Sequence, residues 1–313
     1  MSQLAGIVLP VFLVIAMGWL AVVSRRFPVG AAEAVMQFAQ GFAIPALLFR
    51  TVARIDPGRV LDWRLLVSYY TGSLTVFLVG LAGAMLLFRR PADNAVAVGF
   101  AAMFPNSVLL GLPIMERAYG EDSLAPIFAI IAFHAPFCYL VGSVAMAFAR
   151  RGRGFGIWRT SLALVSTLAR NPLLIALFLG FLFNLSGLTL PGVIDDALVL
   201  LVRGALPAAL FALGGILVAY RPEGDLRLIG WVVLLSLLLH PAIVWAMGRE
   251  ILALPFPAGE AAVTTAAMAP GINAYLFASM HGTGKRVAAS AVLTGTLLSI
   301  LTASLWLHLL GGG

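Results

Sequence analysis

The sequence predicts an all-α integral membrane protein: ten transmembrane helices in two inverted five-helix repeats, with broken, crossing helices 4 and 9. Three observations carry this. The chain is 61% hydrophobic and only 11% charged, with a mean hydropathy of +1.02, whereas a soluble domain carries about 25% charged residues. Ten apolar runs approach the roughly 20 residues that a helix needs to cross a bilayer. A shift of 162 residues lays prolines and glycines of the first half on those of the second.

The runs are residues 4–23, 32–54, 63–88, 94–119, 123–149, 168–186, 195–219, 227–253, 259–280 and 287–308. No basic residue precedes the first, and Arg25 and Arg26 follow it. That order predicts a retained helix with its N-terminus outside, not a signal peptide. With this orientation the inner loops hold Arg25, Arg26, Arg89, Arg90, Arg150, Arg151, Arg153, Arg159, Arg170, Arg221, Arg227, Lys285 and Arg286. The outer loops hold only Arg54, Arg59, Arg64, Arg117 and Arg249. Cytoplasmic loops concentrate Lys and Arg, so the protein is expected as a multi-pass protein of the inner (plasma) membrane with both termini outside. The formal charge of +7 then reflects loop arginines, and no nucleic acid partner is expected. Arg50 is expected to reach the headgroups from the end of its helix.

The repeat is read from positions that fix backbone shape. Under the 162-residue shift Pro10 falls on Pro172, Gly18 on Gly180, Gly30 on Gly192, Pro45 on Pro207 and Phe49 on Phe211, without a gap. Five spans per half is an odd number, so the second half must insert upside down. Inverted repeats with discontinuous helices at the midplane are a design of secondary transporters.

The fourth run contains Phe104-Pro105-Asn106-Ser107-Val108-Leu109-Leu110-Gly111-Leu112-Pro113. Proline cannot donate a backbone hydrogen bond and clashes with the preceding turn, and Gly111 adds freedom. A helix break in hydrocarbon persists only where protein or a water-filled cavity surrounds it. The ninth run carries a counterpart, Met268-Ala269-Pro270-Gly271-Ile272-Asn273-Ala274-Tyr275, in a register of 165 rather than 162; Gly120 and Gly282 return to 162. Each break would expose a helix N-terminus with free N–H groups and about half a positive charge, which can hold a carboxylate. The expected substrate-binding residues are therefore Pro105, Asn106, Ser107, Gly111, Pro113, Pro270, Gly271, Asn273 and Tyr275. His134 in the fifth run joins them as a substrate or proton group, and Gln40, five residues before Pro45, as a group facing the site.

The motif Phe104-Pro-Asn-Ser-Val-Leu-Leu-Gly-Leu-Pro-Ile114, with Ile44-Pro-Ala-Leu-Leu-Phe49 and Met268-Ala-Pro-Gly-Ile-Asn-Ala-Tyr275, resembles the auxin efflux carrier family, which includes bacterial malate or malonate permease-like proteins. The resemblance implies an NhaA/bile-acid-transporter-like architecture. It implies scaffold helices 1 and 2 in residues 1–60 and 6 and 7 in 168–222. Transport-domain helices 3–5 would lie in 61–150 and 8–10 in 223–313, with 151–167 a cytoplasmic linker. It further implies an elevator-type motion, a homodimer through the scaffold helices, and crossing prolines at Pro113 and near the ninth-run break. The family's plant members carry a proline where this chain has Ala274, and many have a long hydrophilic loop that this chain lacks, so auxin is not implied as the substrate.

The acidic residues all map to loops or span ends. A cation–proton antiporter needs intramembrane carboxylates, so the expected substrate is a small organic anion, such as malate, malonate or an auxin-like acid, or a neutral molecule. A proton or sodium would be the coupling ion, with His134 and His240 the intramembrane groups that titrate near neutrality. Two further readings are a sodium-coupled organic anion symporter of the bile-acid-transporter type and a membrane-embedded lipid-modifying enzyme. A channel fits matched breaks less well. The chain has no phosphate-binding loop and no zinc-spaced Cys/His cluster, and no cofactor, metal or catalytic residue is expected. Cys138, the single cysteine, reads as a small buried hydrophobe.

Overall fold

A computed structural model describes residues 2–54, 62–150, 166, 169–220 and 223–311. Most of the linker expected at 151–167 lies outside them. The described residues are helical with short connections, and the helices in chain order are α1 (Ser2–Val23), α2 (Val29–Phe38), α3 (Ile44–Val52), α4 (Trp63–Leu86), α5 (Ala92–Met103), α6 (Leu112–Tyr119), α7 (Ala125–Ala149), α8 (Pro172–Leu185), α9 (Gly192–Leu217), α10 (Leu226–Leu234), α11 (His240–Trp245), α12 (Ala258–Ala266), α13 (Ile272–Met280) and α14 (Lys285–Leu309).

Seven helical segments among the described residues are long and apolar enough to cross a membrane: Gly6–Val23, Val29–Val52, Trp63–Leu86, Ala125–Ala149, Gly192–Leu217, Leu226–Ile251 and Lys285–Leu309. The other three expected spans differ. The sixth, α8, is a 14-residue helix. The fourth and ninth are each two pieces, α5 with α6 and α12 with α13, separated by extended residues.

Proline shapes several of these segments. A proline ring clashes with the carbonyl four residues earlier. In three places that residue (Gly41 before Pro45, Leu109 before Pro113, Leu237 before Pro241) sits at the centre of a π-helical turn: Ala39–Ala43, Ser107–Gly111 and Leu235–Leu239. The wider turn moves the carbonyl aside, and the helix continues. The Leu237 carbonyl then accepts from the Trp306 indole N–H at 2.9 Å, so a neighbouring helix satisfies the freed group, as hydrocarbon demands. Pro113 is therefore accommodated within the helix, and the crossing that the family resemblance placed there lies elsewhere.

The chain divides into two compact units. One comprises Leu9–Leu61 and Thr167–Ala219. Inside it, Gly18 on α1 lies against the Phe211 carbonyl of α9, so closely that a side chain there would strike it. Gly180 on α8 packs on α3 in the same way, where a Cβ would fall 2.9 Å from the Phe49 carbonyl. Gly18 with Gly180, and Phe49 with Phe211, are the pairs that the 162-residue shift equates. Arg50 Nε donates to Asp195 at 2.8 Å, and Arg54 reaches the same carboxylate at 2.6 Å.

The other unit comprises Met1–Val8, Asp62–Ser166 and Tyr220–Gly313. Its core is the pair of interrupted segments. Residues 95–107 and 261–271 are buried throughout, as expected of helices that are apolar on every side. Small residues let them approach their neighbours: a Cβ on Gly99 would fall 2.6 Å from the Phe77 carbonyl. Positions at or within one residue of the 162-residue offset share local structure here too. Asp62 and Asp225 cap α4 and α10 by accepting from the backbone N–H of Arg64 and Arg227. Gly120 and Gly282 follow α6 and α13 at φ of +84° and +66°, a backbone that a residue with a Cβ avoids.

Candidate functional site: the crossing of two interrupted helices

Phe104–Asn106 and Ala269–Gly271 run past each other as a two-stranded antiparallel bridge centred on Pro105 and Pro270. The Asn106 N–H donates to the Ala269 carbonyl and the Gly271 N–H to the Phe104 carbonyl, both at 2.8 Å. This is the offset of 165 seen in the sequence. Beyond the bridge, 15 residues separate Pro105 from Gly120, but 12 separate Pro270 from Gly282. The three-residue difference is thus taken up in the second pieces, where the first repeat carries the π turn.

Buried backbone groups need partners, and most at the crossing have them. The Met103 carbonyl, ending α5, lies 3.8 Å from the Cys138 thiol. Its repeat mate, the Met268 carbonyl, accepts from the Ser236 hydroxyl at 3.4 Å. Cys138 is buried, as expected, and is also a weak donor to the break. On the N-terminal side the two interrupted segments differ. Asn106 caps the π turn, its Oδ1 accepting from the Leu109 N–H at 3.3 Å. Its register mate is Gly271, not Asn273, and Gly271 offers α13 no side-chain cap. The first-turn amides of Ile272 and Asn273 therefore have no intrahelical acceptor.

The two asparagines still present the same chemistry. A backbone N–H can only donate, so its bond fixes the Asn106 oxygen and turns Nδ2 away. Asn273 Oδ1 accepts from the Tyr139 hydroxyl at 3.2 Å. Both amides thus have their oxygens engaged, and neither Nδ2 has a partner among the described residues. Uncapped amides, two side-chain NH2 groups and a helix N-terminus make a site that donates hydrogen bonds. Such a site suits an anion or a carbonyl oxygen.

The remaining expected residues are placed unevenly. Ser107 is buried at the start of the π turn, its hydroxyl 3.4 Å from the Pro105 carbonyl. Gly111 lies inside that turn, where a Cβ would meet Met268 Cγ at 3.7 Å. Tyr275 is half-buried and packs on the Tyr220 ring at 5.3 Å. Gln40, half-buried, belongs to the other unit, in the turn before Pro45. His134 is buried beside the bridge, its ring centroid 4.5 Å from that of Phe104.

Sequence reasoning missed Tyr69, Tyr139, Ser236 and Gly295. A tyrosine in an apolar span must find a partner for its hydroxyl, and that signal singles out Tyr69 and Tyr139. Gly295 has no such signal: it is a helix-interior glycine whose Cβ would fall 2.7 Å from the Pro270 ring, a contact only the fold brings about.

The family model described as "Membrane transport protein" matches residues 4–307. A protein of Rhizobium meliloti (strain 1021) named "Putative malonate transporter" is 26% identical, over 100% of this chain and 98% of its own length. The "Uncharacterized transporter YfdV" of Escherichia coli (strain K12) is 24% identical over 97% of this chain and 96% of its own. The "Auxin efflux carrier component 8" of Arabidopsis thaliana is 23% identical over 88% of each.

Proposed function

Because the chain belongs to the membrane transport protein family, which takes in the auxin efflux carriers, we propose that it is a secondary carrier of small carboxylates, malonate among them, binding them at the crossing. The carrying observation is the donor-only character of that site: an uncapped α13 N-terminus beside the free amide groups of Asn106 and Asn273. A carboxylate there gains hydrogen bonds and the helix dipole without facing a fixed full charge. The name of the Rhizobium relative points to the same substrate class.

The movement we infer is elevator-type alternating access. The unit containing the crossing carries the substrate, and the unit of α1 from Leu9 onward, α2, α3, α8 and α9 is the scaffold and the surface of a homodimer. Ten spans in two inverted repeats underlie it, with both termini outside the inner membrane. Matched Gly18 and Gly180 contacts and matched glycine ends support the repeat. Alternating access fits a crossing whose two strands are related by such a repeat.

Uptake of labelled malonate into proteoliposomes tests the reading. Saturable uptake, competed by malate but not by the neutral diamide of malonate, is the expected result. Absence of uptake for malonate, malate and other small carboxylates contradicts it.

A further inference from the structure

Beside Phe104 of the bridge lies a buried polar cluster that the anion site does not use. His134, Tyr69 and His240 are 4%, 0% and 0% exposed. The Tyr69 ring stands between the two imidazoles, at centroid distances of 5.7 Å and 5.4 Å. Three polar atoms there lack a hydrogen-bond partner among the described residues: His134 Nε2, His240 Nδ1 and the Tyr69 hydroxyl oxygen. Leaving such an atom without a partner is costly, and buried unpartnered groups are uncommon enough to call for a reason. The cluster adjoins the crossing through His134, which touches Phe104, the first residue of the bridge.

The two imidazoles are not equivalent. His240 Nε2 lies 3.1 Å from the Ser73 hydroxyl, which anchors its ring. His134 Nδ1 lies 3.8 Å from the Cys138 sulfur, and its Nε2 is left open. The groups facing the cluster are Tyr69, Tyr70 and Ser73 from α4, Phe104 and Ser107 from the break, Cys138 from α7 and His240 from α11. Tyr70 is occupied in donating to the Ile130 carbonyl at 2.8 Å. No carboxylate, Lys or Arg side chain contacts either imidazole among the described residues.

We propose that His134 is the proton-carrying group of this protein: the cluster takes up one proton when an anion seats at the crossing and releases it when the anion leaves. This rests on the carrier reading above. The step is addition of a proton from water to the lone pair of His134 Nε2 and its return to water on the other side; nothing is oxidised or reduced. Anion and proton, of opposite charge and adjacent in the same unit, favour each other's binding, and the coupling is reciprocal. Imidazole is the side chain whose charge changes in the physiological range, so it serves where intramembrane carboxylates are absent.

The test uses the full chain in proteoliposomes with a trapped pH dye and malonate as the probe. An inward malonate gradient should acidify the lumen, with about one proton per malonate, and an inside-alkaline gradient should drive malonate accumulation. In His134→Gln the ratio of protons to malonate should fall to near zero; a ratio is read independently of total activity. Net malonate uptake by the wild type without acidification of the lumen overturns the proposal and leaves the carrier reading intact. An unchanged ratio in His134→Gln also overturns it. Absence of both counterflow and net flux in the wild type removes the carrier reading and this one together.

Discussion

Asn106 and Asn273 stand on equal terms in the sequence, each an asparagine beside a proline in an apolar run. The fold loads them differently. Asn106 caps a helical turn and Asn273 takes a tyrosine hydroxyl, while both keep a free amide NH2. Asn273→Ala should lower malonate affinity about tenfold to a hundredfold, the worth of a hydrogen bond to a charged group, ~1.5–3 kcal/mol, with a small change in thermal stability. Asn106→Ala should lose a similar affinity and in addition about 1 kcal/mol of stability with the cap. Equilibrium binding and thermal unfolding in detergent check both. Outside the spans, Asp225 offers a pH handle. Desolvation works against its ionised form, but the Arg90 guanidinium at 2.7 Å and the amides of Leu228 and Arg227 outweigh it and hold the carboxyl below its usual value. A lowered carboxyl contributes stability above its unfolded value, near 3.9, and that contribution disappears as pH falls through the folded value. The melting temperature should therefore drop more steeply below about pH 4 in the wild type than in Arg90→Gln. At this scale the sequence announced the prolines and asparagines, because they are rare in apolar runs. It hid Ser236 and Gly295, whose importance comes from what folding places beside them.

At the scale of the element, two prolines that look alike in the sequence do different things. Pro105 lies in the bridge, and Pro113 is absorbed by a π turn and followed by regular helix. Pro113→Ala should leave malonate uptake within about twofold of the wild type, since the tenfold step of ~1.4 kcal/mol belongs to lost site contacts. Pro105→Ala should reduce uptake much more. Equal losses in an uptake assay would show that both prolines shape the site. Gly295→Ala carries a different burden: the added methyl meets the Pro270 ring at 2.7 Å. Overpacking of this kind costs about 1–3 kcal/mol, and thermal unfolding should report it together with weakened binding. The existence of the breaks was legible because proline and glycine dictate backbone shape directly. Their register was legible too: the offset of 165 equates Asn106 with Gly271, as the hydrogen bonds do. What each asparagine binds was not legible, because Leu109 and Tyr139 come beside them only in the fold.

At the scale of the whole molecule, composition and apolar run length told of a multi-pass membrane protein, and proline and glycine spacing told of a repeat. Run length alone did not show that three of the ten runs fold as a short helix or as two pieces, since an apolar run keeps its length across a break. The central claim is that a crossing lined by donors makes this chain a carrier of small carboxylates. Counterflow tests it most directly: proteoliposomes loaded with unlabelled malonate and placed in a trace of labelled malonate. The account predicts transient accumulation of label above equilibrium in the wild type, and its loss in Asn273→Ala. Label that merely equilibrates, at a rate indifferent to the internal malonate and to Asn273, would contradict it.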